Sequence, residues 1–272
     1  MELRLEGVVH TYAGGVRALD GVDLTLGGGE RVALVGQNGS GKTTLVRHLN
    51  GLLRPAQGRV TMDGADTTTL TVAQLAVRVG LAFQDPDRQI FARRVRDEVA
   101  FGPHALGRRG AALDTAVVAA LDAVGLAQDA ERNPYDLGAS RRKLLAIASV
   151  LAMETPVVVL DEPTTGLDAR GVERVGAIVD RLAAEGRTVI VVSHDLRFVA
   201  EHADRVVVLR AGRVTLDGPP ADVFAEERWP DLAATWLEPP AAARVGARLG
   251  LGSTPTESAL VAALVAQGRA ED

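Results

Sequence analysis

Cysteine is absent from this chain of 272 residues, which excludes disulfide bonds and thiolate metal sites. The longest hydrophobic run, residues 144–153, falls well short of the ~20 apolar residues that a membrane-spanning helix needs. Residues 1–6 are charged and lack the apolar core of a signal peptide, so we expect no secretory leader. Positive charge is not in excess, because the formal net charge is -5, and nucleic acid is therefore not favoured as a partner.

Apolar residues make up 47% of the sequence, which is enough for a packed core. Short apolar or alternating segments predict strands, and helical periodicity follows several of them, as is typical of an α/β protein. The predicted strands are residues 3–9, 19–26, 31–35, 59–62, 79–83, 157–160, 188–192, 205–209 and 213–216.

Strand signals vanish between about residues 94 and 153, which predicts an inserted helical subdomain. Residues 111–124 and 140–153 have helical spacing, and we expect Ser140 to cap the second helix. Helical periodicity returns weakly in residues 239–249 and 256–267.

A glycine-rich segment joins the predicted strand 31–35 to a predicted helix 44–50 and matches the phosphate-loop pattern G-x-x-x-x-G-K-[ST]. Glycines let successive backbone N–H groups face phosphate oxygens, and the helix N-terminus adds positive potential. Lys42 can reach the β- and γ-phosphates, and the Thr43 hydroxyl can ligate Mg²⁺. The residues of this loop expected to bind a nucleotide are Gly36, Asn38, Gly39, Ser40, Gly41, Lys42 and Thr43.

Two carboxylates, Asp161 and Glu162, follow the buried strand 157–160. In open α/β sheets, ligands bind at the carboxyl edge of the strands, so both acids are expected beside the phosphate loop. Asp161 is expected to hold Mg²⁺, directly or through water, and Glu162 to act as the general base on the attacking water.

Two further polar residues, His194 and Gln84, follow predicted strands. We expect His194 to contact the γ-phosphate or the attacking water, and Gln84 to reach Mg²⁺ or that water. The candidate catalytic residues are therefore Glu162, His194, Gln84 and Lys42, and the candidate metal ligands are Thr43, Gln84 and Asp161.

Taken together and in this order, the motifs resemble those of the ATP-binding subunit of ABC transporters, over roughly residues 2–225. The resemblance implies a P-loop ATPase fold of the α/β class, with an N-terminal antiparallel β subdomain, an inserted helical subdomain and a small C-terminal helical extension. It implies ATP and Mg²⁺ as ligands, and stacking of Tyr12 on adenine. It also extends the phosphate loop to Thr44 and identifies residues 166–168 as the D-loop.

Residues 83–91 and 97–103 resemble more narrowly the ATPase of energy-coupling-factor (ECF) importers, which take up vitamins or cobalt and nickel ions. That resemblance implies a second ATPase subunit, a transmembrane coupling subunit and a membrane substrate-binding subunit. It places the chain peripherally on the cytoplasmic face of the membrane. Asp85 and Asp87 would meet basic residues of the coupling subunit, and the alternative for them is a solvated acidic turn. The arginines at 93, 94 and 96 could face a membrane subunit or lipid headgroups, although we favour a solvated surface for them.

The chain departs from the ABC family at the signature Leu-Ser-Gly-Gly-Gln, which here reads Leu-Gly-Ala-Ser-Arg at residues 137–141. In the family this segment closes over the γ-phosphate bound by the partner ATPase, so Ser140 is a candidate nucleotide-binding residue in trans. Two interpretations stay open. In the favoured one, a different ATPase completes a heterodimer; in the other, Ser140 or Arg141 serves a homodimer.

We predict an ATPase domain at residues 1–228 and a C-terminal extension at 229–272, which either joins two ATPases or packs on its own domain. One rival function is a soluble ABC ATPase of DNA repair or translation, but the chain has neither heptads nor a second phosphate loop. The other is a P-loop kinase, against which Glu162 and His194 favour hydrolysis.

Overall fold

Two sheets organise residues 1–270, the part of the chain that this computed structural model describes. The first sheet is antiparallel and contains β1 (Glu2–Thr11), β2 (Arg17–Gly27), β4 (Gln57–Met62) and β5 (Ala65–Asp66). The second contains β3 (Arg31–Val35), β6 (Val79–Ala82), β7 (Val157–Asp161), β8 (Thr188–Val192), β9 (Arg205–Arg210) and β10 (Arg213–Gly218). Each of the strands predicted from the sequence is present.

The order of strands in the second sheet is β10-β9-β3-β8-β7-β6, and all of them except the β9–β10 hairpin pair in parallel. The central strands β7 and β8 are buried along their whole length, because helices and the antiparallel sheet cover both faces. The carboxyl ends of β3, β8, β7 and β6 therefore lie side by side at one edge of the sheet.

Helices connect and cover these strands. They are α1 (Lys42–Leu49), α2 (Val72–Ala76), α3 (Val95–Ala105), α4 (Gly110–Val124), α5 (Ala139–Leu151), α6 (Ala169–Ala184), α7 (Leu196–His202), α8 (Pro220–Val223), α9 (Trp229–Ala233), α10 (Ala241–Arg248) and α11 (Glu257–Ala270). None of the helices within residues 1–270 is both long and apolar enough to cross a lipid bilayer.

The helical subdomain consists of α3, α4 and α5, which pack against one another around a shared apolar core. Val99, Leu121 and Leu145 contribute to this core, one from each helix, and all three are buried. The same core continues into β7 and β8, so that the apolar face of α5 fixes the subdomain on the parallel sheet.

The predicted helix cap at Ser140 is wrong. Helix α5 begins at Ala139, and its N-cap is Gly138 in an extended conformation without any side-chain cap. The Gly138 carbonyl accepts the first intrahelical hydrogen bond, from the N–H of Arg142 at 3.0 Å. Ser140 therefore lies in the first turn of the helix, because the chain enters the helical conformation two residues earlier than its capping side chain would require.

The C-terminal extension packs on its own domain over its first half. Leu232, Leu237 and Ala243 are buried in one core cluster with Val206 of β9 and Phe224. Helix α11 lies outside this cluster and exposes several apolar side chains, Val261, Leu264 and Val265. The last two residues of the predicted extension, 271 and 272, lie outside the described residues, and the division at residue 228 stays a prediction.

Candidate functional site

The glycine-rich loop after β3 has the geometry expected of a phosphate loop. Gly41 is the N-cap of α1 and has a positive φ of 107°. A Cβ atom on Gly36 would collide with the carbonyl oxygen of Leu209, so only glycine allows this approach of two backbones. The loop therefore ends with the free N–H groups of α1 directed at the carboxyl edge of the sheet.

Lys42 folds back over the loop. Its Nζ atom donates hydrogen bonds to the carbonyl oxygens of Gly36 at 2.6 Å and Gln37 at 3.0 Å. Burial lowers the pKa of Lys42, whereas the carboxylates of Glu162 and Asp161 act in the opposite direction and favour its charged form. A phosphate group at the loop would add a further anion beside this ammonium, which is how a phosphate-binding lysine works.

Asp161 ends β7 beside the first turn of α1. The Thr43 hydroxyl donates to its Oδ2 atom at 3.1 Å, and its Oδ1 atom is buried without a hydrogen-bond partner among the described residues. Burial raises the pKa of Asp161, and the Thr43 hydrogen bond lowers it. A buried carboxylate with one free oxygen, next to a hydroxyl, fits Mg²⁺, which binds proteins through one or two carboxylates and completes its shell with phosphate and water oxygens.

Glu162 has a left-handed backbone conformation, with φ of 50°. A left-handed glutamate costs about 1–3 kcal/mol, and Pro163 after it would favour an extended residue instead. Two hydrogen bonds hold this conformation: its N–H donates to the Val192 carbonyl at 2.8 Å, and its own carbonyl accepts from Lys143 Nζ at 2.8 Å.

The Glu162 side chain contacts the predicted histidine. His194 Nδ1 lies 2.8 Å from Oε2 of Glu162, and the Thr165 hydroxyl donates to the same oxygen at 3.3 Å. The Glu162 side chain is buried, whereas that of His194 is 63% exposed. An ionised carboxylate only accepts hydrogen bonds, so Nδ1 of His194 is the donor and its Nε2 atom is left for another partner.

These residues surround one cavity of about 300 Å³. Gln84, which follows β6, lines this cavity, and so do Tyr12 and Val16. The predicted residues that line this cavity are Tyr12, Asn38, Gly39, Gly41, Lys42, Thr43, Thr44, Gln84, Asp161 and Glu162. Gly36 and Ser40 belong to the same loop, and His194 reaches the site through Glu162.

Tyr12 is held in place by a hydrogen bond and by two histidines. Its hydroxyl lies 3.0 Å from the Thr44 hydroxyl, and its ring meets His10 edge to face at a centroid distance of 4.7 Å. His10 packs in the same way against His48, at 4.9 Å. Both histidines are buried, and the partly exposed Tyr12 ring packs against His10. This packing fixes the ring in an orientation in which an adenine base could stack on it.

Ser140 does not line this cavity. It lies in the first turn of α5, whose N-terminal N–H groups have no capping side chain. The neighbouring Arg141 forms an ion pair with the buried Asp129, which also binds Arg132 at 3.0 Å. Arg141 is therefore held by an ion pair within its own subdomain, where it shares the single carboxylate of Asp129 with Arg132.

The predicted acidic and basic residues near Gln84 are mostly paired within the chain. Asp87 forms an ion pair with Arg142 of α5 at 3.0 Å, and Asp85 accepts a hydrogen bond from the Asp87 N–H at 3.1 Å. Arg94 and Arg96 both form ion pairs with acids of the helical subdomain. These contacts favour a solvated surface for the arginines.

Sequence reasoning missed several residues that support the site. Lys143 and Thr165 hold Glu162, and His10 and His48 support Tyr12. One compositional signal was available for Lys143: the chain has 30 lysines and arginines, and only Lys42 and Lys143 are lysines.

A phosphate loop, strand-end carboxylates on a parallel sheet, an antiparallel β subdomain and an inserted helical subdomain together define an ABC-type ATPase. Comparison with known proteins agrees: the family described as "ABC transporter" matches residues 19–165. The chain belongs to this family, and the fold class predicted from the sequence is confirmed.

Among curated relatives, the energy-coupling factor transporter ATP-binding protein EcfA2 of Symbiobacterium thermophilum is 41% identical over 256 residues, which cover 92% of this chain and 88% of the relative. A putative ABC transporter ATP-binding protein of Caldanaerobacter subterraneus subsp. tengcongensis is 42% identical over 248 residues, but the match covers 91% of this chain and only 43% of the relative. This chain therefore spans less than half the length of some relatives that it matches.

A solved structure has the same fold over nearly its whole length. CbiO1 from Clostridium perfringens, described as part of the ABC transporter complex CbiONQ, superposes with a TM-score of 0.75 at 33% sequence identity. The superposition covers 91% of this chain and 98% of that protein. The ECF-type resemblance of the sequence is thus confirmed by a relative named as an energy-coupling factor transporter ATP-binding protein, and the structure of an ABC transporter subunit agrees in fold.

Proposed function

We propose that this chain binds Mg-ATP and hydrolyses it to drive an ECF-type importer of a micronutrient, a vitamin or a transition-metal ion. The observation that carries the proposal is the single cavity in which the phosphate loop faces Asp161 and Glu162. The relative named EcfA2 and the CbiO1 structure support the transporter class.

In the proposed reaction, the loop N–H groups and Lys42 bind the phosphate oxygens of ATP and stabilise charge on the transferring phosphoryl group. Asp161, Thr43 and Gln84 would hold Mg²⁺, which supplies positive charge to the β- and γ-phosphate oxygens. Glu162 accepts a proton from the attacking water as its oxygen bonds to the γ-phosphorus. The bond to the bridging oxygen breaks, and ADP and phosphate leave.

Two residues that contact the side-chain carboxylate of Glu162, His194 and Thr165, have separate proposed roles. Nδ1–H of His194 holds the carboxylate oxygen at 2.8 Å, so its Nε2 side is free to face the γ-phosphate or water. Thr165 contributes a weaker hydrogen bond from the loop after β7. Both contacts orient the carboxylate before substrate binds, which lowers the cost of organising the site.

The membrane partner is proposed to dock beside Gln84. An apolar groove lies between α2, α3 and β6, and two phenylalanines, Phe91 and Phe101, form its exposed rim. Their rings meet edge to face at a centroid distance of 4.8 Å, and each is more than half exposed. Exposing two neighbouring aromatic rings to water is unfavourable, and a helix of a transmembrane coupling subunit would bury them.

We further propose that a different ATPase completes the dimer. The segment that should close over the partner's γ-phosphate has Gly138 where the family has serine, and Arg141 is paired with Asp129 of its own subdomain. Ser140 is left as a hydroxyl that could serve a partner's nucleotide. The proposed heterodimer therefore has one site completed by the other subunit and one weaker site.

Co-expression with the proteins encoded by adjacent genes tests these proposals together. We expect the full chain to hydrolyse ATP slowly alone and at least tenfold faster with a second ATPase. Glu162→Gln is expected to retain ATP binding and to lose hydrolysis by at least a hundredfold. Brisk turnover by the isolated chain would contradict the heterodimer, and unchanged turnover in Glu162→Gln would remove this residue from the role of base.

The docking groove has its own test. Phe91→Ala with Phe101→Ala is expected to reduce co-purification with the adjacent-gene membrane proteins while leaving nucleotide binding intact. Val118→Ala, an exposed apolar residue on α4, is the matched control. Equal recovery of the membrane proteins with the groove variant and with the control would place the docking surface elsewhere.

A further inference from the structure

The chain has only two lysines, and both make hydrogen bonds at the candidate site. Lys42 and Lys143 are both buried, and each donates to a backbone carbonyl at the carboxyl edge of the sheet. All other basic side chains among the 30 lysines and arginines are arginines. A lysine ammonium is a compact charge with three donors, whereas a guanidinium is a broad planar fork, so the two residues are not interchangeable in a tight site.

Lys143 reaches the site from the helical subdomain. It lies on α5, one turn after Ser140, and its Nζ atom is 2.8 Å from the carbonyl oxygen of Glu162. Burial lowers the pKa of Lys143, while the carboxylates of Glu162, Asp161 and Asp85 favour its charged form. A hydrogen bond from a charged ammonium is stronger than one between neutral groups, so this contact holds the Glu162 carbonyl firmly.

The residue it holds is in an unfavourable conformation. Glu162 has φ of 50° and stands before Pro163, and nothing in its side chain favours the left-handed region. Its other hydrogen-bond partners, Val192, Thr165 and His194, belong to the sheet and the loops that follow it. Lys143 alone among these contacts comes from the helical subdomain.

We infer that Lys143 is a positioning residue for Glu162. Its hydrogen bond stabilises the left-handed backbone from which the carboxylate faces the nucleotide cavity. The inference rests on the proposed hydrolysis, in which Glu162 is the base. The same hydrogen bond couples the position of the helical subdomain to the conformation of Glu162. A shift of α5 away from β7 would break the bond, and the Glu162 backbone could then leave its left-handed conformation.

Two substitutions separate positioning from packing. Lys143→Met keeps the volume and removes the donor, and we expect it to lower kcat about tenfold or more while the Kd of Mg-ATP changes less than about twofold. Lys143→Gln keeps a donor and is expected to recover at least about a third of the wild-type kcat. The assays use the full chain with the products of adjacent genes. Equal losses in the two variants, or a loss of affinity that matches the loss of kcat, would overturn the inference.

Arg187→Met is the matched control. Arg187 is also a buried cation that donates to a backbone carbonyl, that of Thr155 at 2.8 Å, and burial lowers its pKa as well. Thr155 precedes β7, so this contact lies at the opposite end of the strand from Glu162. We expect Arg187→Met to lower thermal stability and to leave kcat within about twofold of wild type. A loss of kcat as large as that of Lys143→Met would show that losing any buried hydrogen bond to the backbone next to β7 has this effect, which would contradict a specific role of Lys143.

A double-mutant cycle tests whether Lys143 acts through Glu162. In the Glu162→Gln background, we expect Lys143→Met to change the residual kcat by less than about twofold, because the base that it positions is already absent. A further loss of about tenfold would show that Lys143 acts on the phosphates or the water independently of Glu162, which contradicts the inference.

A spectroscopic test does not depend on turnover. Protein labelled with ¹⁵N-lysine should give two side-chain ammonium signals, which Lys143→Met assigns. We expect the Lys143 ammonium hydrogens to exchange slowly with water in the wild type without nucleotide, since they are buried and bonded. Rapid exchange would contradict the hydrogen bond between Lys143 and the Glu162 carbonyl, even if the chain hydrolyses ATP. Slow exchange would support this hydrogen bond, even if the proposed hydrolysis failed.

Discussion

His194 Nδ1 lies 2.8 Å from Oε2 of Glu162, although the two residues follow different strands of the sheet. Strands β7 and β8 are parallel neighbours, so their carboxyl ends bring the acid and the imidazole together. The N–H of Glu162 also donates to Val192, the last residue of β8, which fixes the distance between the two strand ends. The proposed base is therefore oriented by its neighbouring strand as well as by its own.

Replacing His194 with alanine should impair hydrolysis more than binding. The substitution removes the hydrogen bond that orients the Glu162 carboxylate and the donor proposed for the γ-phosphate side. We expect kcat to fall about tenfold to a thousandfold, with the Kd of Mg-ATP changed less than about threefold. Steady-state ATPase rates and nucleotide titrations on the same preparation measure both quantities. A variant with wild-type kcat would exclude His194 from the mechanism.

Replacing Tyr12 with alanine should weaken nucleotide binding. The Tyr12 ring is half exposed at the cavity wall and is supported by His10, so its loss removes the proposed stacking surface for adenine. Stacking on an aromatic ring contributes about 1–3 kcal/mol, which predicts a rise in Kd of about five- to 160-fold. Tyr12→Phe keeps the ring and loses only the hydrogen bond to Thr44, so it should bind nearly as well as wild type. Equal affinities of the alanine and phenylalanine variants would contradict stacking.

The chemistry of the site could be predicted from local patterns. The phosphate loop, Asp161, Glu162, His194 and Gln84 all lie at the end of a short apolar strand or within two residues after it, and parallel pairing then brings those strand ends to one edge. Such residues are recognisable because a strand and the polar residues that follow it occupy only a few neighbouring positions in the sequence.

Contacts between distant elements could not be predicted in this way. Lys143 meets Glu162 only because the apolar face of α5 packs on β7, and no local pattern encodes that distance. The Ser140 cap was predicted wrongly for a related reason: Gly138 can start the helix without a side-chain acceptor, so the nearest serine was not needed. Residues 239–249 and 256–267 of the C-terminal extension gave weak periodicity, since among the described residues these two segments contribute only the small Ala243 to the core cluster.

An ion pair at the start of β3 predicts how stability depends on pH. Arg31 donates to both carboxylate oxygens of Asp204, and these hydrogen bonds hold the pKa of Asp204 below its ordinary value of 3.8. A lowered carboxyl pKa stabilises the fold above the unfolded-state value, and this contribution is lost as the pH falls through the folded-state value. Because both side chains are partly exposed, we expect Asp204→Asn to lower the free energy of unfolding by only about 1 kcal/mol at neutral pH.

The difference between wild type and Asp204→Asn should shrink towards zero as the pH falls below the folded-state pKa of Asp204. Urea unfolding of both proteins at a series of pH values measures it. A difference that stays constant down to about pH 2 would show that the substitution acts through packing and not through the charge of Asp204.

Truncation separates the two halves of the C-terminal extension. Deleting residues 237–272 removes Leu237 and Ala243 from the core cluster, and we expect a loss of about 2–5 kcal/mol in the free energy of unfolding. Deleting residues 256–272 removes α11, whose residue Glu257 forms only an exposed ion pair with Arg197, and should cost less than about 1 kcal/mol. Thermal unfolding measures both effects. Equal stability of the longer deletion and the full chain would contradict the packing described for Leu237.

The shorter deletion also tests the proposed dimerising role of α11. Its exposed apolar residues Val261, Leu264 and Val265 would be buried if the helix joined two ATPases. The mass of the assembled complex by light scattering should then fall when α11 is removed. An unchanged mass would assign α11 to its own domain alone.

The most direct test of the central claim is calorimetric titration of the full chain with Mg-ATP. We predict saturable binding with a Kd between about 1 μM and 1 mM, weakened at least about tenfold by Lys42→Ala, because the loop and its ammonium provide the main phosphate contacts. Absence of binding heat up to millimolar nucleotide, or equal affinity in wild type and Lys42→Ala, would contradict the assignment of this cavity to ATP.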